Sequence, residues 1–316
     1  MFFRRIAPLA LAALVVAAAA ATTTTTIQTQ GRNTRIVIIA GRPSHPPGMH
    51  EFRAGSLLLQ KALSGVKGVT VDVIPMGWPK KTVDGKEVDD NAAFDGADAV
   101  FIYADGGGGH PALQNDRVQV IDALAAKGVG LGFGHYGVEV PVGEPAAAMH
   151  RWVGGYYETN YSVNPMWAPN FDQFPAHPVT RGVGPFSNKD EWYFNMRWTA
   201  DEKLKARIRP LLVATPSEDV RDGPYVSPRG PYDHIIADKG RAETMMWVFE
   251  RPDGGRSVGF TGGHTHANWG DVNQRRIVLN ALLWIAKVEV PALGVVDTIA
   301  AEDLTVNLDP KPPRRQ

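Results

Sequence analysis

Apolar side chains along this chain fall into short dense runs separated by polar or glycine-rich turns. Residues 35–40 (RIVIIA) form a near-continuous β-branched run, the pattern of a strand covered on both faces. Residues 69–74 (VTVDVI) and 98–103 (DAVFIY) repeat it, with a polar excursion between them at 75–90. Residues 127–141 (KGVGLGFGHYGVEVP) predict a fourth short strand that runs into a glycine-lined turn with His135 at its tip. Two readings of that stretch stand: a site where a ligand approaches closely, or a packing run with an incidental histidine. Residues 50–62 carry Leu57, Leu58 and Ala62 at helical spacing, and 111–127 predict a second helix opened by Pro111, which suits a first helical position. Alternating strands and helices imply parallel strands joined by right-handed crossovers. The loops at 44–50, 105–110 and 135–139 then share one rim, where open α/β sheets place their ligands.

From Glu144 the texture changes to aromatics, prolines and turn residues with several short strands. Residues 207–214 and 244–250 predict further strands, and 256–260 pairs back as a hairpin across Asp253-Gly254-Gly255. A last helix is predicted over 273–287, with Ile277, Leu279, Leu282, Leu283 and Ile285 on its core face.

Composition narrows the chemistry. The 316 residues include 33 basic and 33 acidic side chains, so no excess positive charge invites nucleic acid or an anionic membrane surface. With no cysteine there can be no disulfide, thiolate nucleophile or iron–sulfur cluster. At the N-terminus, Arg4 and Arg5 precede an apolar run with Ala18 and Ala20 near its end, the pattern of a secretory signal peptide. The expected organisation is a signal peptide (1–21), a threonine-rich spacer (22–34), one domain (35–290) and an extended proline-rich tail (291–316). The protein is then expected to be periplasmic or secreted, with no stable membrane anchor after cleavage.

Several polar constellations fall on the expected rim. Ser44 to His50 puts His45 and His50 across a proline-stiffened loop; a histidine at a helix N-terminus tends to stay neutral. The bland alternative is a plain helix start with an exposed His45. Asp105 directly follows the third strand and faces the rim, whereas the four glycines after it lack the lysine and spacing of a P-loop. His264 and His266 form an H-x-H pair that could ligate a metal with carboxylates if extended, while a turn would separate them. His135, His264 and His266 are therefore the candidate metal ligands. Asp190 and Glu191 should point to opposite faces of a strand, so one of them reaches a pocket. A carboxylate beside Trp192 and Tyr193 resists ionisation, which is how a general acid is made. The tryptophans could stack on sugar rings, though most tryptophans are core residues. No G-x-S-x-G or H-E-x-x-H motif occurs.

Taken together, RIVIIAGRPSHPPGMHE, GVGLGFGHYGVEVP, WVGGYYE, HPVTRGV followed by DEWY, and GFTGGHTHANW before a helix ending ALLWIAK resemble the ThuA-like (trehalose-utilisation) family. That family is a branch of the class I glutamine amidotransferase-like fold. The resemblance implies a flavodoxin-like three-layer sandwich with a mostly parallel central sheet. In the related amidotransferases a cysteine occupies the tight turn after the central strand and a histidine partners it. Here Gly134-His135 stands at that turn and His264 falls near the partner's place, so a thioester route is closed. The resemblance also implies a link to disaccharide use through keto-sugar intermediates. The expectation is a carbohydrate enzyme with His135, His264 and Glu191 catalytic, and His45, His50, Asp105, Tyr136 and Trp192 around a small sugar. A divalent metal is the one cofactor candidate. The rival expectation is a non-catalytic periplasmic carbohydrate-binding or scaffold protein.

Overall fold

Why four loops meet at one edge follows from the order of strands in the central sheet. The computed structural model describes residues 1 and 32–312; the expected signal peptide and most of the spacer lie outside them. Seven strands form the sheet: β1 (Thr34–Ala40), β2 (Val69–Ile74), β3 (Ala99–Tyr103), β4 (Gly130–Gly134), β5 (Ile208–Ala214), β6 (Glu243–Glu250) and β7 (Arg256–Phe260). Their order is β5-β6-β7-β4-β3-β1-β2. Pairings from β2 across to β7 are all parallel, and only β6 runs against its neighbours. The chain therefore leaves β1 in one direction toward β2 and returns on its other side at β3. That reversal opens a crevice beyond the carboxyl ends of β1 and β3.

The β-branched run of β1 is buried on both faces, with Ile36 and Ile38 in one apolar cluster and Val37 and Ile39 in the other. Helices α1 (Phe52–Leu63) and α4 (Val272–Ile285) cover the first face, and α2 (Arg117–Ala126) and α3 (Glu144–Trp152) the second. This is the expected three-layer sandwich. Each fully buried leucine or isoleucine of α4 contributes about 1.5–3 kcal/mol of burial. Asp271 caps that helix by accepting from the Asn273 and Gln274 amides at 2.8 and 2.9 Å, which fixes where the preceding loop must end. In β4 the glycines make room: a Cβ on Gly132 would lie 2.4 Å from the Phe101 ring.

Several expected boundaries shift. The first helix begins at Phe52 rather than at His50, because His50 has φ +48° and cannot be helical. The polar excursion holds a small exposed hairpin, Lys80–Val83 with Lys86–Asp89. Within the expected tail (291–316), of which residues 291–312 are described, side chains are instead tied to the domain. Val295 joins the core, and Lys311 is driven under the loop before α1. Its Nζ lies 3.1 Å from Glu51 Oε1, donates to the Met49 and His50 carbonyls, and its side chain is only 3% exposed. A buried ammonium is tolerated there because a carboxylate and two carbonyls meet it. Among the described residues no helix is long and apolar enough to cross a membrane.

Candidate functional site

Loops following β1, β3, β4 and β7 bring His50, Asp105, His135 and His264 together at the sheet's carboxyl edge. The turn after β4 is tight: His135 sits at φ +49°, while His45 and His50 stand at +62° and +48°. Left-handed backbone at three non-glycine residues of one site is strain that the surrounding packing must hold in place. Gly106 is part of that packing. Its backbone lies so close to the β4 turn that an added Cβ would come 2.1 Å from the Tyr136 carbonyl oxygen, whereas Gly108 and Gly109 face open space. The glycine run thus serves close backbone approach at its first position only. His110, also buried, donates from Nε2 to the Gly137 carbonyl at 3.0 Å and pins the same turn.

The His264 loop is held from below. Asp190 accepts from the Gly263 and Thr265 amides, each at 2.8 Å, while Glu191 points to the other side of its short strand. Glu191 Oε2 reaches 2.6 Å from His264 Nδ1 and 3.8 Å from His135 Nε2, and its Oε1 accepts from Asn164 Nδ2 at 2.8 Å. Three imidazole nitrogens converge beside it: His50 Nε2 is 3.0 Å from His135 Nε2 and 2.9 Å from His264 Nδ1, and the last two are 3.2 Å apart. The outer nitrogens fix the tautomers. His135 Nδ1–H donates to the Thr261 carbonyl at 2.9 Å, and His50 Nδ1–H to Asp105 at 2.8 Å, so both Nε2 atoms present lone pairs inward.

Burial, reinforced by the neighbouring imidazoles, holds His50 and His135 well below the ordinary histidine range, so both are neutral. Burial also raises Glu191 and Asp105 above the usual carboxylate range, with His264 and Ser44 respectively opposing it. His50, Glu191, His135 and His264 can hold a cation between them; His45 with His50 and Asp105 forms a second, more exposed grouping.

The cluster opens into a cavity of about 380 Å³ lined by His45, Tyr136, Glu139, Thr159, Asn164 and Tyr193, with residues 226–228 as its far wall. A space of this size suits one small ligand. Glu139 accepts from Thr159 Oγ1 at 2.8 Å, yet burial, with a smaller push from Glu191, raises it to about 7. A carboxylate whose folded pKa exceeds its unfolded value supplies stability that is complete below the unfolded value and lost as pH rises through the folded one. Glu139→Gln should therefore match the parent near pH 4 and exceed it by about 1–3 kcal/mol at pH 8 in chemical denaturation. A gap that does not change between those pH values would refute the raised pKa.

Of the expected site residues, the structure joins His135, His264, Glu191, His50 and Asp105 in one network, and Tyr136 and His45 line its cavity. Two expectations are corrected. Trp192 is fully buried in the core, packed on Phe171 and Phe260 and donating to the Asn188 carbonyl, because on an extended chain it faces away from Glu191. His266 is not one of the clustered groups: it opens the 3-10 turn His266–Gly270, and of the pair only His264 meets Glu191. Sequence reasoning assigned no site role to Tyr193, Thr159 or Asn164, and placed Glu139 only as the end of the 135–139 rim loop. Strand alternation from Glu191 would have found Tyr193, whose hydroxyl lies 3.3 Å from His135 Nε2.

Comparison with known proteins agrees with this architecture. A protein described as ThuA-like from Bacteroides uniformis is 14% identical and superposes with a TM-score of 0.54 over 81% of this chain and 92% of its own. Another from Parabacteroides merdae is 15% identical, with a TM-score of 0.50 over 81% and 90%. At such identity these likenesses establish the fold alone. No curated protein matches the sequence. The ThuA family profile, described as trehalose utilisation, matches residues 70–285, more than half of the chain, and the protein belongs to that family.

Proposed function

We propose that this protein is an exported enzyme of carbohydrate metabolism that acts on a keto-sugar or a disaccharide derived from one. The observation that carries the reading is the cavity itself: His50 and Glu191 connect it to the buried imidazole cluster, and its walls carry Glu139 and the hydroxyls of Tyr136, Thr159 and Tyr193. Sugar binding alone calls for amides and aromatic faces. It has no need of three imidazoles held in strained backbone. The family's description points to the same substrate class.

A ketone makes the hydrogen on the adjacent carbon removable. In the deprotonated form, Glu139 takes that proton; the C–H electron pair becomes a C=C bond and the carbonyl π pair moves onto oxygen. The Tyr136 hydroxyl in the cavity wall is a hydrogen-bond donor for the resulting charge on oxygen. Protonation of that oxygen gives an enediol. When the adjacent hydroxyl then loses its proton and the former carbonyl carbon gains one, the carbonyl has moved by one carbon and the isomer is complete. Departure of a group with its bonding pair from the next carbon instead gives elimination. A carboxylic acid that titrates near neutrality is suited to both halves of the exchange.

The test is a panel of 3-keto-glucosides and 3-keto-disaccharides in D2O, followed by NMR for wash-in of deuterium beside the ketone and for new products, with calorimetry in parallel. Exchange or turnover supports the enzyme. Binding without either selects the rival, a carbohydrate-binding protein without chemistry.

A further inference from the structure

We propose that His50 Nε2, His135 Nε2, His264 Nδ1 and Glu191 Oε2 form a mononuclear site for a divalent first-row transition-metal ion, open toward the cavity. This deepens the reading above by naming what occupies the cavity floor, but it stands on donor geometry and not on the identity of the sugar.

The first support is proton counting. The Nδ1 protons of His50 and His135 are committed outward, to Asp105 and to the Thr261 carbonyl. The protons left to serve the centre are the one on His264 and that of the Tyr193 hydroxyl, 3.3 Å from His135 Nε2. Glu191 at 2.6 Å claims the His264 proton. With that assignment His50 Nε2 keeps a lone pair aimed at two other nitrogens and no hydrogen to accept, a costly arrangement at a residue 1% exposed. A cation at the centre, taking the place of the His264 Nδ1 proton, turns the lone-pair contacts among the three nitrogens from repulsive to favourable.

Distance is the second support. Edges of 2.9, 3.0 and 3.2 Å define a triangle. Its centre lies about 1.8 Å from each nitrogen, so an ion slightly out of that plane meets all three at the roughly 2.0–2.1 Å typical of metal–imidazole bonds. Glu191 Oε2 stands beside that position, within 4.8 Å of every nitrogen.

Outer contacts are the third. Three of the four ligands are each oriented by a second group: His50 by Asp105, His135 by the Thr261 carbonyl, and Glu191 by Asn164. Carboxylate or carbonyl partners on the far nitrogen of an imidazole are what metal sites use to fix ring orientation and raise basicity. Three imidazoles with one carboxylate select a borderline ion such as Zn2+, Fe2+ or Ni2+ over Ca2+, which prefers oxygen. With a cavity on one side, such a site keeps a position for substrate oxygen.

Tag-free protein, stripped with a chelator and titrated with Co2+ and then Zn2+, tests the proposal. The expected result is one ion per chain, a visible cobalt absorption band that Zn2+ abolishes, and at least a 100-fold weaker affinity in His264→Ala and Glu191→Gln. The exposed His234→Ala should bind as the parent does. Circular dichroism shows whether each variant is folded, and the milder Glu191→Gln keeps the comparison valid if His264→Ala is not. Folded parent protein that binds neither ion more tightly than about 100 μM, or variants that bind as well as the parent, would overturn the site. Metal bound with no keto-sugar turned over removes the substrate reading and leaves the metal centre standing; turnover by a chain that binds no metal does the reverse.

Discussion

His135→Ala should lower turnover of any accepted keto-sugar by about 10³-fold or more, with a far smaller change in the amount of folded protein. The imidazole is fully buried at the meeting point of His50, His264, Glu191 and Tyr193, so its removal affects every polar contact at the cavity floor. Losing the side chain also relieves no clash, because the left-handed backbone at this turn is set by the packing of Gly106 against it. Asp105→Asn provides the graded comparison. It leaves all inner groups in place and perturbs only the partner of His50 Nδ1, so a loss of about 10–100-fold is expected. Steady-state kinetics of both variants on one substrate is the measurement. Full activity in His135→Ala would remove this cluster from the chemistry.

Arg221→Met should cost about 3 kcal/mol of stability, seen as a fall in melting temperature of about 5–10 °C. The guanidinium is fully buried and donates to Glu243 at 2.7 Å, to the Arg241 carbonyl at 2.7 Å and to the Ile235 carbonyl at 3.3 Å. Methionine fills most of the volume but leaves the Arg241 carbonyl without its Arg221 donor, while the Ile235 carbonyl keeps the Asp238 amide. Glu243 would keep only the half-exposed Arg241 and the Asn195 amide as partners. The effect should reach the cavity, since Arg221 ties down the segment between β5 and β6 that supplies Val226, Ser227 and Pro228 to its wall. A melting temperature within about 2 °C of the parent would show that this buried pair does not hold the segment.

The strands and the rim were legible because they rest on local rules. β-branched runs, glycine turns and alternation with helices need no knowledge of distant contacts, and parallel connection then forces the loops carrying His50, Asp105 and His135 to one edge. His264 was legible as well, as the first imidazole after a strand that turned out to run parallel to β4. The inner contacts were less so. His50 was expected on the rim and lies at the centre, because a positive φ at that residue turns the side chain inward before α1 begins. The Trp192 expectation weighed residue type over geometry: alternation already applied to Asp190 and Glu191 places Tyr193, and not Trp192, on the Glu191 side. Glu139 lay at the end of the expected rim loop 135–139 without being singled out, and Thr159 and Asn164 lack any local signature, since their meeting depends on how the aromatic-rich insertion folds back over the sheet. The H-x-H spacing was ambiguous by its nature, and a turn at His266 decided it.

The ammonium of Lys311 clasps the same loop that carries His50, across a separation of 261 positions. A protease that trims the chain upstream of that lysine would therefore do more than shorten a loose end. Such a nick would leave Glu51 without its counter-charge and slacken one corner of the imidazole cluster, so a clipped preparation should look folded yet perform poorly, and intact mass should be confirmed before any negative assay is believed.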